Sequence, residues 1–439
     1  MKNHKSSCLF FSLFLSILLF SGYNLIAQNT SDSLSYYHKL SEDTSQNYSH
    51  NFKYASKLLD LGIKENNTYY ILNGLERKSY LYSKLGDYHS AISTAKTLLK
   101  ESQKNKDSIK LLSAYRKLAD YSRLSDSLLN AYTYYQEHKV LNVAFKDSLE
   151  IIRDLRFMSS IQFKLGLLHE SEATAVEAIS IVDALQENEE TLEAKIGLYN
   201  HLGILYKELG KYNGAIALYD TLLKSTKNPG YINIIHNNKA NVYKEQKNYK
   251  LAFKEFQAIY DNSLKIKDTL QIARALNNLG FVKGKLELPG SLQNMMEALA
   301  LRHKKNDLSG LYSSYVALSE YYKDRTDINN VKNYAQQAYN ISQKTKNQRD
   351  RLEALSFLIE TEGSKNIIEY KSLSDSIANA KQINENKYAF VKYNYFKKEK
   401  EAIESELKFK DSQIEAQKEK LNKTIYQMIT VIGLLLTIF

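Results

Sequence analysis

One slot recurs down the middle of this chain: Ala91, Ala131, Ser171, Ala215, Ala252, Leu292 and Val331 follow one another at steps of 40, 40, 44, 37, 40 and 39 residues. A unit that short cannot bury its own apolar face, so a chain built from such units has to stack them. The clearest unit is IGLYNHLGILYKELGKYNGAIALYDTLL, residues 196–223. Tyr199, Leu202, Gly203 and Tyr206 stand three and four apart on one helical face, Gly210, Lys211 and Tyr212 make a turn, and Ala215, Tyr219 and Leu222 mark the inner face of a second helix. Two antiparallel helices packed closely need small residues where the backbones approach, here Gly203 and Ala215. They need large ones, here Tyr199 and Tyr219, where a gap must be filled.

Weaker copies use the same slots, among them Tyr82, Gly86 and Tyr88; Tyr115, Ala119 and Tyr135; Gly166 and Ala175; Tyr249 and Phe256; Leu279 and Gly280; and Tyr315, Leu318 and Ala335. Degenerate copies are expected over residues 32–65, around Tyr54, Ala55 and Leu58, and near Leu352, Leu355, Leu358 and Tyr370. A second motif keeps the same period: KDSI from Lys106, KDSL from Lys146 and KDTL from Lys267. Asp followed by Ser or Thr ahead of an apolar helical stretch is a helix start. With only two prolines, Pro229 and Pro289, and 16 glycines in 439 residues, little interrupts helix anywhere.

The pattern of a large apolar residue, Leu-Gly, Tyr, a Gly-Asp-Tyr turn, then Ala and an aromatic resembles the tetratricopeptide repeat. The resemblance implies an all-α, right-handed solenoid of about eight helix pairs over residues 28–372. The period here is longer than the family's usual 34 or so. Longer helices and a capping turn account for the difference.

The two ends differ in character from the middle. Lys2 and Lys5 precede an apolar run from Leu9 to Phe20, the form of a secretory signal peptide over residues 1–27. Twelve residues at about 1.5 Å each are too few to span a bilayer, which points to cleavage and not to retention. The one cysteine, Cys8, stands before the run, so no lipid anchor is expected and the mature chain holds no thiol. Over residues 373–424 no glycine or proline occurs, charges of both signs crowd together, and Ile403, Leu407, Ile414 and Leu421 recur at four, seven and seven. That is a long charged helix with a coiled-coil seam, weakened by Lys410 and Gln417 in the alternate core positions. Residues 425–439 then carry no charge and are expected to begin a transmembrane helix that this chain truncates. The lysines beside it, Lys418, Lys420 and Lys423, would lie on the outer side, against the positive-inside tendency.

This layout resembles bacterial membrane-anchored regulators: signal peptide, tetratricopeptide solenoid, coiled coil, one membrane helix, and a cytoplasmic helix-turn-helix or histidine kinase output. The resemblance implies a periplasmic solenoid anchored in the inner membrane, a homodimer through the coiled coil, and an output outside these residues. A membrane-tethered envelope scaffold without output is the alternative, as is the sensor part of a histidine kinase.

No phosphate loop, nucleophile elbow or H-E-x-x-H occurs, and the nine histidines are scattered singly, so no catalytic, cofactor or metal residue is assigned and no enzyme is expected. The net charge of +11 is spread along the chain and not gathered into a stripe, which argues against nucleic acid as a partner. A protein or peptide on the concave face formed by the first helices is the expected ligand. Asn238 and Asn278 occupy equivalent places one repeat apart, His201 the same place before them, and Arg274 stands one turn before Asn278. In some tetratricopeptide domains Asn and basic residues at such places clamp a peptide carboxylate, which makes Asn238, Asn278 and Arg274 the candidate site. Ile204 stands where the clamp needs a polar residue.

Overall fold

The computed structural model describes the backbone of residues 33–438, the side chains of residues 33–397, and scattered side chains from there to Thr424. The expected signal peptide and the side chains of the apolar run at 425–439 lie outside the described residues. All regular structure among the described residues is helical. The helices are α1 (residues 33–42), α2 (Tyr48–Lys64), α3 (Thr68–Lys84), α4 (Tyr88–Asn105), α5 (Ser108–Leu124) and α6 (Leu128–Phe145). There follow α7 (Ser148–Lys164), α8 (Leu168–Asp183), α9 (Glu189–Glu208), α10 (Tyr212–Ser225), α11 (Pro229–Glu245) and α12 (Tyr249–Ile266). The last are α13 (Thr269–Lys285), α14 (Ser291–Lys304), α15 (Leu308–Lys323), α16 (Ile328–Thr345), α17 (Gln348–Glu362) and α18 (Ile367–Ile438), with a 3₁₀ turn at Gly363–Asn366. Odd-numbered helices are the first of each pair and even-numbered ones the second.

Six of the nine pairs close on two small or tightly fitted residues twelve positions apart: Ser79 and Ala91, Ala119 and Ala131, Ser159 and Ser171, Gly203 and Ala215, Ala240 and Ala252, Ser319 and Val331. All twelve are buried, because here the two backbones meet and only small side chains fit. A Cβ at Gly203 would lie 2.6 Å from the Tyr219 ring. The pair α13/α14 corrects the sequence reading. Its buried slot is Ser291, 4% exposed, and not Leu292, which is half-buried. Pro289 and Gly290 replace the first turn that α14 would otherwise have, with Gly290 at φ +79°, so the helix starts at the slot itself. Ser291 Oγ donates to the Gly280 carbonyl at 2.7 Å, and Gly280 has to be glycine because a Cβ there would meet Met295 at 2.6 Å.

The KDSI, KDSL and KDTL motifs are the links from one pair to the next. Lys106, Lys146 and Lys267 sit in the left-handed region, and Asp107, Asp147 and Asp268 cap the following helix. Asn66-Asn67, Asn306-Asp307 and Lys346-Asn347 do the same work without the motif's letters. Only the links at residues 184–188 and 226–228, either side of α9 and α10, depart from this form.

The chain divides into two compact units, Met1–Asn379 and Ala380–Phe439. In the second, Lys397 and Lys400 make i,i+4 pairs with Glu401 and Glu404 at 4.0 and 3.8 Å, the mark of a solvated helix surface. Of the expected seam, Ile414 is 50% exposed, whereas the side chains of Ile403, Leu407 and Leu421 lie outside the described residues. Among the described residues no helix is long and apolar enough to cross a membrane.

Candidate binding face of the first helices

The faces of α9, α11 and α13 are joined by a run of carboxamides. Asn278 donates through Nδ2 to Asn237 Oδ1 at 3.4 Å, Asn237 to Asn238 Oδ1 at 3.4 Å, and Asn238 to Asn200 Oδ1 at 2.8 Å. All four are half-buried, which leaves donor and acceptor capacity over for something lying across them.

Beside this run a cavity of about 320 Å³ opens between α11, α13 and α15, lined among others by Asn237, Asn241, Arg274, Asn277, Asn278 and Asp307. Arg302, from the last turn of α14, also lines it and is only 4% exposed. Its Nη1 donates to the Gly310 carbonyl at 2.7 Å and to Ser314 Oγ at 2.6 Å. Burial pushes the Arg302 guanidinium down to about 10; Arg274 adds to the shift and Asp307 opposes it. It remains a cation at neutral pH. Asp307 caps α15, accepting from the Gly310 amide at 2.9 Å. Gly310 itself is required, since a Cβ there would lie 2.0 Å from Asp307 Oδ2 and 2.8 Å from Arg302 Cδ.

Of the three residues expected from sequence, Asn278 and Arg274 line the cavity, and Asn238 stands outside it in the amide run. Sequence reasoning missed Arg302, Asn277 and Asp307. The signal for Arg302 was present: Met295, Ala298, Leu299 and Arg302 are all buried at helical spacing, and an arginine on an apolar stripe is out of place.

His201, singled out for the same register, packs elsewhere. Its Nε2 lies 2.8 Å from Ser159 Oγ, and burial together with Arg156 pushes the imidazole down to about 4. His138 is buried against Asp154 at 2.8 Å with Asn142 alongside, and burial raises the Asp154 carboxyl. His236 meets Glu255 at 2.5 Å and His303 meets Tyr315 at 3.0 Å. These are packing contacts, and no cluster that would hold a metal ion occurs among the described residues.

The tetratricopeptide repeat family profile matches residues 73–105 and 196–229, which lie in the hairpins α3/α4 and α9/α10. The same hairpin recurs down the stack, so the class is a tetratricopeptide-type solenoid. Among solved structures, the apo form of the quorum sensor NprR from B. thuringiensis is similar with a TM-score of 0.54 at 13% identity, over 81% of this chain and 99% of that one. A tetratricopeptide repeat protein from Parabacteroides merdae gives 0.47 at 17% identity, over 66% and 98%. The Rap conjugation gene regulator of plasmid pLS20, in complex with the Phr* peptide, gives 0.48 at 14%, over 72% and 96%. At such identities the likeness is one of fold. No curated protein sequence matches this one.

Proposed function

We propose that this chain is a non-catalytic protein-interaction module whose first-helix face receives a peptide or protein, serving as the exported sensor part of a membrane-anchored bacterial regulator with its output outside these residues. The observation that carries the interaction reading is the amide run Asn200, Asn238, Asn237, Asn278, which presents hydrogen-bonding capacity on a half-buried face where plain packing would place apolar groups. The exported and membrane-anchored placement is supported by the sequence layout alone. In the second unit Phe390, Tyr393 and Phe396, each more than half exposed, offer an apolar flank on which a second copy would pair.

A photo-crosslinking residue at Asn241 or Asn278, in the full chain expressed in its own bacterium, tests the reading. One defined peptide or protein is expected in the membrane fraction, absent when the crosslinker is placed instead at Val176 on the second helix α8. Equal labelling from both faces would remove the first-helix face as the interaction surface. Recovery of the chain from the soluble cytoplasm would remove the membrane placement.

A further inference from the structure

We infer that the cavity between α11, α13 and α15 is a small-molecule site for a neutral sugar, whose adjacent hydroxyls give and take hydrogen bonds with the side chains of Arg302, Asn277 and Asp307. The inference goes beyond the interaction reading, since the ligand is one small molecule lodged at the side of the first-helix face and not a chain laid across it.

The repeat itself marks Arg302 as unusual. It occupies the position whose backbone carbonyl closes each link, where other units place Gly62, Ser102, Asn142, Ser263 and Ser342. An arginine in that slot needs room, and Gly310 leaves it, because a Cβ there would lie 2.8 Å from Arg302 Cδ. The guanidinium is 4% exposed, yet its Nη1 meets two uncharged oxygens, the Gly310 carbonyl and Ser314 Oγ, and its Nε has no partner. Asn277, also 4% exposed and in the same cavity wall, keeps Oδ1 without a partner. The last torsion of an asparagine is soft, so a small turn brings either end of this amide to the cavity. A buried donor and a buried acceptor left unmet are destabilising, and a ligand that meets both recovers the loss.

That pairing sets the ligand's chemistry. An anion only accepts hydrogen bonds, so it would satisfy Arg302 but set its own oxygens against Asn277 Oδ1 and the Asp307 carboxylate. A hydroxyl both donates and accepts, and two adjacent hydroxyls match a carboxamide, which offers its carbonyl and amino ends side by side. Asp307 Oδ1 is engaged in the cap of α15, which leaves Oδ2 to accept from a further hydroxyl. Arg274 is exposed and screened by water, so within the cavity one buried cation faces one carboxylate and little net charge calls for a counter-ion. Leu270 adds an apolar patch for the C–H face of a ring. About 320 Å³ is at the small end of ligand cavities, which suits one or two sugar rings.

Saturation-transfer NMR decides it, on the full chain solubilised in a detergent without a sugar headgroup, with methyl glycosides of glucose, galactose and mannose, N-acetyl-alanine and inorganic phosphate as probes. At least one glycoside is expected to bind with a Kd of about 1 mM or tighter, and both anions about tenfold more weakly or worse. Asn277→Leu should weaken that glycoside about tenfold and, since it removes a carbonyl that has no partner, leave the urea midpoint unchanged. Arg302→Met, its fold checked by circular dichroism, should weaken it similarly. Arg274→Gln should change glycoside binding by less than about threefold, whereas a site built for anions would lose most of its affinity. A disaccharide of the same sugar that binds more tightly assigns the site to glycan ends, and equal affinity assigns it to free sugars. No binding by any of the three glycosides, tighter binding of either anion, or no effect of both Asn277→Leu and Arg302→Met would overturn the inference. A partner crosslinked from Asn241 or Asn278 with no glycoside bound would leave the interaction reading standing and this one refuted; a bound glycoside with no crosslinked partner would do the reverse.

Discussion

His201 shows what a residue in this stack is constrained to do. It joins α9 to both helices of the preceding pair: neutral, its Nε2–H donates to Ser159 Oγ, Ser159 donates to the Ser171 carbonyl at 2.8 Å, and Ser171 returns a bond to the Ser159 carbonyl at 2.7 Å. Folding holds this imidazole at about 4 by burial and by Arg156, whereas an unfolded chain protonates it below about 6.5. The unfolded state therefore takes up the proton first as pH falls. Stability from this group is intact above about 6.5 and declines toward 4. Urea unfolding at pH 8 and pH 5 should show the wild type losing about 2 kcal/mol more than His201→Gln across that interval. Parallel losses would mean that His201 is not held neutral. At Gly203, two residues on, Gly203→Ala should cost about 1–3 kcal/mol by forcing the Tyr219 ring aside, measured as a lower urea midpoint. Such positions were partly legible in the sequence. Gly203 and Ala215 could be read because small residues at a close approach are periodic, and Arg274 and Asn278 because they share a register. Arg302 could not be placed in a site from its register, since it reaches the first-helix face from the end of a second helix, across a link.

At the scale of elements, the two-residue link decides where helices begin. Lys106, in the left-handed region at φ 53°, ends α4, and the Asp107 amide reaches back to the Ser102 carbonyl at 3.0 Å. Asp107's carboxylate then accepts from Lys110 N at 2.9 Å and starts α5. One residue thus closes one helix and opens the next. The helix start was legible in KDSI; the left-handed lysine was not, because that conformation disfavours Lys and the sequence gives no sign of tolerating it. Lys106→Gly should therefore raise stability by up to about 1 kcal/mol, and Asp107→Ala should lower it by about 1 kcal/mol, both read from chemical denaturation. If Lys106→Gly proves destabilising, the lysine side chain contributes more than its backbone costs. Where Pro289-Gly290 takes the place of a helical turn, the register moved by one, which is why Leu292 was mistaken for the buried slot.

Among the described residues of the first unit, packing beyond incidental contact joins only helices one or two places apart in sequence. Its core is accordingly a string of small clusters and not one body. Leu72, Leu98 and Ala114 form one across α3 to α5; Ala240, Phe256 and Leu279 another across α11 to α13; Met295, Tyr315 and Ala338 a third across α14 to α16. In such an array stability is a sum of local terms and nearest-neighbour contacts, so damage stays near its origin. Phe256, fully buried, fixes the middle cluster, and Phe256→Ala should remove about 3–5 kcal/mol there through lost contact and the cavity left behind. Hydrogen exchange followed by mass spectrometry should then show faster exchange in α11 to α13, with α3 to α6 protected as in the wild type. The irregular links at 184–188 and 226–228 stand between those regions and, though Asn188 and Asn228 cap the helices that follow, lack the left-handed two-residue closure, so they are where loss of protection should stop. Exchange that accelerates evenly from α2 to α17 would instead mean that the hairpins unfold as one cooperative block, and that the solenoid transmits a disturbance at one repeat to all the others.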